Sequence, residues 1–277
     1  MSLSRIVEFP EVKTKLRESF PKPRYSHKGT MIAPPQSENY SGVGTAFDYV
    51  LRFYIKRNNP NVNDDEWVAN YSLELIEEKT QLHSKAKSML DKANERYSDY
   101  LKTGKMTDQL LESALHLSQL DLVFRIGYRT KDLGTTNPLD VLDLRNLFNA
   151  IDPKLFNVKR SCVLNPTFGE GSQIIGGADC DIFIDGMLLD IKTSKHLKFE
   201  RYYFNQLVGY YLLSTYGGIE GAPEEDIQAL GIYFSRYSIL RSFPIEVITE
   251  RPQFQETRDW FIDYAKEKSH YDKRKER

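Results

Sequence analysis

The sequence predicts an α/β protein in which a helical region precedes the sheet. Residues 42 to 151 read as helix almost throughout, with apolar residues recurring at helical spacing. After residue 158 the pattern changes to short β-branched or aromatic runs broken by Gly and Asp-Gly, which is how strands and tight turns are written. One long apolar helix falls between the third and fourth of these runs, so the order is helix, helical insert, three strands, helix, strand, and a C-terminal helix.

Residues 1 to 40 include "FPKPRYSHKGTMIAPPQSENY", rich in proline and polar residues, and are expected to form an extended arm. "SGVGTAFDYVLRFYIKR" follows. Its Val43, Phe47, Val50, Leu51 and Tyr54 share one helical face, and "NNPNVNDDE" ends it. From Trp67 to about Leu101 the chain is charged and free of Gly and Pro, which predicts helix with room for one break. "KTGKM" turns the chain into "TDQLLESALHLSQLDLVFRIG", whose Leu110, Leu111, Ala114, Leu117 and Leu120 form an apolar stripe. "PLDVLDLRNLFNAI" makes a shorter helix and closes a helical region over 41–157. The strand runs "SCVLNPTF", "GADCDIFI", "MLLDIKTS" and "ALGIYFSRYS", with the helix "KFERYYFNQLVGYYLLSTYG", fill 158–250. Residues 251–277 hold a helix near "ETRDWFIDYAKEK" and a basic tail expected to fray into solvent.

Composition narrows the function classes. Apolar residues make up 40% and charged residues 28% of the chain, which excludes long-range disorder. A net charge of −1 argues against a protein that coats nucleic acid, while leaving room for a locally basic cleft. Cys162 and Cys180 are too few for a disulfide scaffold, a four-cysteine iron–sulfur cluster or a Cys-only zinc site. "MSLSRIVEFPEVKTKL" has no hydrophobic signal core and no apolar run approaches a bilayer span, so a cytoplasmic location without membrane contact is expected.

The chemistry concentrates in "GGADCDIFIDGMLLDIKTSK", residues 176–195. Asp185-Gly186 between apolar runs predicts a two-residue hairpin turn, because both central positions of a type I′ turn need positive φ. Counting outward, Ile184 faces Met187, Ile182 faces Leu189, Asp181 faces Asp190 and Asp179 faces Lys192, all four charges on one side. Cys180 falls on the opposite face, as core. Two facing carboxylates on a buried strand repel unless a cation lies between them. Hard oxygen ligands beside a lysine suit Mg²⁺ or Mn²⁺. Such an ion activates water and offsets the charge that develops on a phosphodiester under attack, and a nearby lysine orients that water or stabilises the transition state.

"GADCDIFI" followed by "LLDIKTS" resembles the PD-(D/E)XK nuclease superfamily, with its restriction-endonuclease-like fold: an αβββαβ core, a mixed central sheet flanked by helices. The resemblance implies Asp181 as first metal ligand, Asp190 as second and Lys192 as catalytic lysine, with Asp179 competing for the first role. "FNQLVGYY" supplies Gln206 and Tyr210, similar to the Gln-x-x-x-Tyr helix of the RecB-like and phage-exonuclease-like branch. That branch also carries Gly-x-x-x-His on an upstream helix; here Gly44 is present and Asp48 stands in the histidine position, as a metal ligand or as an ordinary ion-pair partner of Arg52. The implied activity is Mg²⁺- or Mn²⁺-dependent hydrolysis of nucleic acid, DNA before RNA, with the helical region as a large insertion.

Asp/Glu-x-Lys alone carries little, since Glu11-Val-Lys13, Glu77-Glu-Lys79 and Asp152-Pro-Lys154 also occur; only Asp190-Ile-Lys192 sits in such a hairpin. A structural salt-bridge cluster, with Lys192 neutralising Asp179, is the plain alternative. Gln206 and Tyr210 have theirs as the polar edge of a packed helix. Lys195, Lys198 and Arg201 recur every three residues and would form either a basic ridge for phosphates or a solvated face. Glu170 is a spare loop carboxylate, and His196 lies in the basic run. Two rival functions stand beside nuclease action: an inactive nucleic-acid-binding protein of the same fold, and an interaction protein working through its helical region.

Overall fold

The computed structural model describes residues 2–64, 66–127 and 132–275. Its first elements differ from the expected arm. Helices α1 (Leu3–Ile6) and α2 (Pro10–Ser19) occupy the start, and only the chain from Phe20 to Asn39 is free of helix and strand. Pro10 opens α2 at its first turn, where a missing N–H costs nothing. Val12 and Leu16 are buried among residues of α9 and α11.

The helical region matches its expected elements. Asn39 caps α3 (Tyr40–Asn58) through its side chain on Gly42 N. The two-residue strand β1 (Asn63–Asp64) follows. The break in the long charged stretch falls between α4 (Ser72–Leu75) and α5 (Gln81–Thr103), with Thr80 capping α5. Gly104 at positive φ ends α5, Thr107 caps α6 (Asp108–Ile126), and Asn137 caps α7 (Pro138–Asn149).

Five strands follow: β2 (Cys162–Leu164), β3 (Ile182–Ile184), β4 (Met187–Lys192), β5 (Ala229–Phe234) and β6 (Ile239–Pro244). Helices α8 (Glu170–Gln173), α9 (Arg201–Gly217), α10 (Glu246–Thr249) and α11 (Phe254–Lys275) lie among and after them. The sheet order is β1-β2-β3-β4-β5-β6, with β1–β2 and β4–β5 parallel and the other pairs antiparallel. The sequence reading did not separate β6, which returns antiparallel to β5 after a turn at Ser238 (φ 51°). The hairpin turn is as expected: Asp185 and Gly186 both have positive φ, and Ile184 pairs with Met187 and Ile182 with Leu189. The Asp185 carboxylate also accepts from the backbone N–H groups of Lys159 and Arg160 at 3.0 and 2.7 Å, which ties the turn to the approach of β2.

Both faces of the sheet are covered. Leu189, Ile191, Ile182, Ile184 and Tyr233 join the buried side chains of α3, α5, α6 and α7 in one continuous core, so the helical region shares the sheet's core and is not a detached lobe. Leu188, Phe183, Leu230, Ile232 and Phe234 point to the other face, under α9, α2 and α11. Alternation along β4 therefore puts Asp190 and Lys192 on the α9 side, at the strand's C-terminal end. Gly171 and Gly217 let α8 meet the end of α9: a Cβ would lie 2.4 Å from Leu213 O at the first and 1.9 Å from Phe168 O at the second. That contact anchors the segment leading to Asp179 and Asp181.

Among the described residues no helix is long and apolar enough to cross a membrane. The basic tail expected to fray is helical to Lys275, and its last two residues lie outside the described part.

Candidate functional site

A cleft of about 290 Å³ opens where the C-terminal end of β4 meets α1, α3, α6 and α9. It is lined by Asp48 of α3, Asp121 and Arg125 of α6, Asp179 and Asp181 of the segment before β3, Asp190 and Lys192 of β4, and Gln206 and Tyr210 of α9. The sequence had linked these residues through the hairpin and two helices. Asp121 and Arg125 are the ones it missed.

The acids reach the cleft by a bend, not by a regular ladder. Paired residues stop at Ile182–Leu189, and Asp181 lies outside the strand. Its carboxylate Oδ2 accepts from Ile191 N at 2.5 Å, substituting for a main-chain carbonyl at the place where Asp181 was expected to face Asp190. The bend also moves Cys180. It was expected on the face opposite the acids but packs with Phe183 and Leu188 on the α9 side, fully buried, its Sγ 3.3 Å from Leu189 O. Asp179, expected opposite Lys192, forms a backbone bridge to Thr167, and its carboxylate takes Arg125 Nη2 at 3.0 Å. The plain alternative of a Lys192–Asp179 pair is not formed either. Lys192 belongs to Asp190.

Lys192 Nζ stands 2.6 Å from Asp190 Oδ2, donates to Gln206 Oε1 at 3.1 Å, and lies 5.0 Å above the Tyr203 ring. Gln206 Nε2 donates to Tyr210 OH at 3.0 Å and to Ser4 Oγ at 3.2 Å. A continuous polar chain thus runs from Asp190 through Lys192 and Gln206 to Tyr210, and the spacing of Gln206 and Tyr210 on one helical face is what permits its last link. Burial acts to lower the Lys192 pKa, but Asp190 and Asp181 outweigh it and hold the ammonium above its ordinary range. Lys192 is therefore a donor at neutral pH and not a base. Tyr210 is raised by burial and by Asp190, and keeps its proton.

The carboxylates are strained electrostatically. Burial, then Asp190 and Asp48, push Asp181 well above the carboxylate range. Burial raises Asp190 against the opposing pull of Lys192, and burial raises Asp48 against Arg52, with Asp121 and Asp179 adding to the rise. Both alternatives for Asp48 have a basis: Oδ2 is ion-paired to Arg52, and Oδ1 is buried without a donor. Asp190 Oδ2 likewise has no hydrogen-bond donor beyond the off-axis contact of Lys192.

These features fit a hard divalent cation. Asp48, Asp121, Asp179, Asp181 and Asp190 stand against Arg125 and Lys192 in the cleft and Arg52 behind it, two more carboxyl groups than cations, and burial disfavours charge on Asp48, Asp181 and Asp190 unless a further cation joins them. Among the described residues no three His, Cys, Asp or Glu side chains stand together as a ready cage. The residues therefore suit an ion held by one or two carboxylates that keeps most of its water, as Mg²⁺ does.

The other candidates fall outside the cleft. Lys195, Lys198 and Arg201 make no ridge of helical spacing, because α9 begins only at Arg201 and the preceding residues alternate, with Leu197 and Phe199 buried between exposed His196 and Lys198. Lys195 stacks 3.9 Å from the Tyr40 ring, Lys198 pairs with Glu200 at 2.7 Å, and Arg201 donates to Phe20 O at 3.0 Å. Glu170 is exposed at the start of α8. Compared with known proteins, the chain matches no family model, no curated protein and no solved structure.

Proposed function

We propose that the protein is a metal-dependent nuclease of the PD-(D/E)XK type that hydrolyses phosphodiester bonds, in DNA before RNA. The observation that carries this reading is the convergence of Asp181, Asp190 and Lys192 at the end of β4, in a cleft with more carboxyl groups than cations. The element order supports it: with α4–α7 set aside as an insertion, α3, three antiparallel strands β2–β4, α9, then β5 parallel to β4 follow the αβββαβ order that this reading expects.

In this reading Asp181 and Asp190 would hold the cation, beside the donor-free Oδ1 of Asp48. The ion would supply Lewis acidity and a nucleophile at neutral pH. The chain's own residues do the rest. Lys192, kept protonated, donates to the attacking water or to a phosphate oxygen. Gln206 fixes the lysine through Oε1 and is itself fixed by Tyr210 and Ser4.

The test is incubation of the purified chain with labelled linear, circular and single-stranded DNA and with RNA, in Mg²⁺, Mn²⁺ or EDTA, beside Asp190→Ala and Lys192→Ala. Cutting that needs the metal and both side chains is the expected outcome. Cutting equal in wild type and variants would mean a contaminant, and no cutting with any metal or substrate would end the proposal.

A further inference from the structure

We propose that Arg125 is a phosphate anchor through which the helical region completes the cleft. This rests on the nuclease reading for the identity of the ligand, but it is carried by a separate set of contacts. Arg125 is on α6, the helix that packs against both α3 and α5, so a residue of the insertion reaches the same cavity as the hairpin. Its Nε donates to Asp121 Oδ1 at 2.5 Å, its Nη2 to Asp179 Oδ2 at 3.0 Å and its Nη1 to Asp179 Oδ1 at 3.5 Å. Asp121 is almost fully buried, and Tyr49 OH donates to its other oxygen at 3.4 Å. The guanidinium is thus gripped from two sides by carboxylates that are themselves fixed.

A purely structural role leaves part of this unexplained. A buried arginine that only neutralises an acid is covered by its partners, whereas the Arg125 side chain is 48% exposed and lines the cleft. Three of the five N–H bonds of a guanidinium are taken by Asp121 and Asp179; the remaining two, one on each Nη, point to opposite edges of the plane, so one of them can serve a ligand in the cleft. Among the described residues lining this cavity Arg125 and Lys192 are the only cations. Lys192 is committed to Asp190 and Gln206. Arg125 is the one with an uncommitted N–H on the open side of the cleft, a charge-assisted donor for one phosphate oxygen. Its side-chain freedom has already been lost to Asp121 and Asp179, so binding need not order it. The ligand this selects is a single phosphodiester oxygen beside the bond to be cut, and Asp121 and Asp179 are positioning residues.

The experiment is a double-mutant cycle between protein and substrate. Fluorescent oligonucleotides, each with one neutral methylphosphonate at a different position, are titrated into wild type, Arg125→Gln and Arg125→Lys, with Ca²⁺ and with EDTA, and binding is read by anisotropy. Cleavage in Mg²⁺ is measured on the same set. Losing one charge-assisted hydrogen bond weakens binding about tenfold to a hundredfold in Arg125→Gln, with Arg125→Lys between. One methylphosphonate position is expected to weaken wild type by a similar factor and to have no further effect in Arg125→Gln. Equal binding by wild type and Arg125→Gln, or a loss spread evenly over all positions together with a fall in melting temperature for both variants, would overturn the anchor. The two proposals fail separately. Cleavage that needs Asp190 and Lys192 but ignores Arg125 sinks the anchor alone, and position-specific, Arg125-dependent binding without any cleavage sinks the nuclease alone.

Discussion

Two clusters of buried charge in this molecule are built from the same side chains and behave oppositely. One joins Arg236, after β5, to Asp143 of α7. Both are essentially inaccessible, at 0% and 1% exposure, and they meet in a bidentate pair at 2.8 and 3.0 Å. Ala33 O accepts from the same guanidinium and Gln36 N donates to the same carboxylate, so one charge balances one charge and the extended segment is pinned against the sheet. The other is the cleft, where five carboxyl groups meet three cations and a buried oxygen of Asp48 lacks a donor. A balanced buried pair is a fastening. An unbalanced one takes up protons or a cation, because nothing in folding alone would favour the surplus.

Substitution at matching positions separates them. Asp181→Asn should reduce cleavage by about 10³-fold or more, roughly 4 kcal/mol in the barrier. The same change should leave metal-free stability unchanged or improved, since burial already disfavours the charged form of Asp181 and an amide oxygen still accepts from Ile191 N. Urea unfolding in EDTA reads this directly; a marked loss of stability would show that the cleft is a fastening too. Asp143→Ala is the mirror case. It strands Arg236 in the core and should cost about 3–5 kcal/mol by the same assay. A cost near zero would mean that the Arg236 charge is solvated in some way the pair does not suggest.

Metal should distinguish the clusters next. At about 100 times its dissociation constant, Mg²⁺ should stabilise wild type by about 2.7 kcal/mol, read as a shift in melting temperature, with the same gain persisting in a mildly destabilised variant such as Asp143→Asn. Asp181→Asn should lose most of the shift. A shift of equal size in both Asp→Asn variants would place the ion elsewhere.

What the sequence conveyed about this site was local. Asp185-Gly186 has one favourable hairpin geometry, so Ile182, Leu189 and the side on which Asp190 and Lys192 lie could be counted outward from it. Gln206 and Tyr210 needed only the helical repeat. The count failed at Asp181, where a side chain takes over from the backbone, and the error carried on to Cys180 and Asp179. Lys195, Lys198 and Arg201 were read with a period of three, although Leu197 and Phe199 already spelled a period of two. Asp121 and Arg125 carried a usable signal, a charged i,i+4 pair in the otherwise apolar "LSQLDLVFRI", but only the packing of α6 against α3 brings them to the cleft. The start of α2 was legible as Pro10 and was masked by the prolines after Phe20.

The smallest expected effect concerns a half-buried histidine outside both clusters. His116 lies on α6, its Nε2 buried without a partner. Burial lowers its pKa, against the opposing influence of Glu112 and of a backbone hydrogen bond with Gly134. A folded-state pKa below the ordinary histidine value of about 6.5 means that the unfolded chain binds the proton more readily. The stability due to neutral His116 is therefore complete above pH 6.5 and is lost as pH falls toward the folded-state value. Urea unfolding of wild type and His116→Gln at pH 7.5 and pH 5.5 isolates it, because other titrations cancel in the comparison. Wild type should lose more stability on acidification than the variant. An equal loss would show that His116 takes up its proton in the folded state as easily as in the unfolded one, and that an unpaired ring nitrogen within α6 carries no penalty.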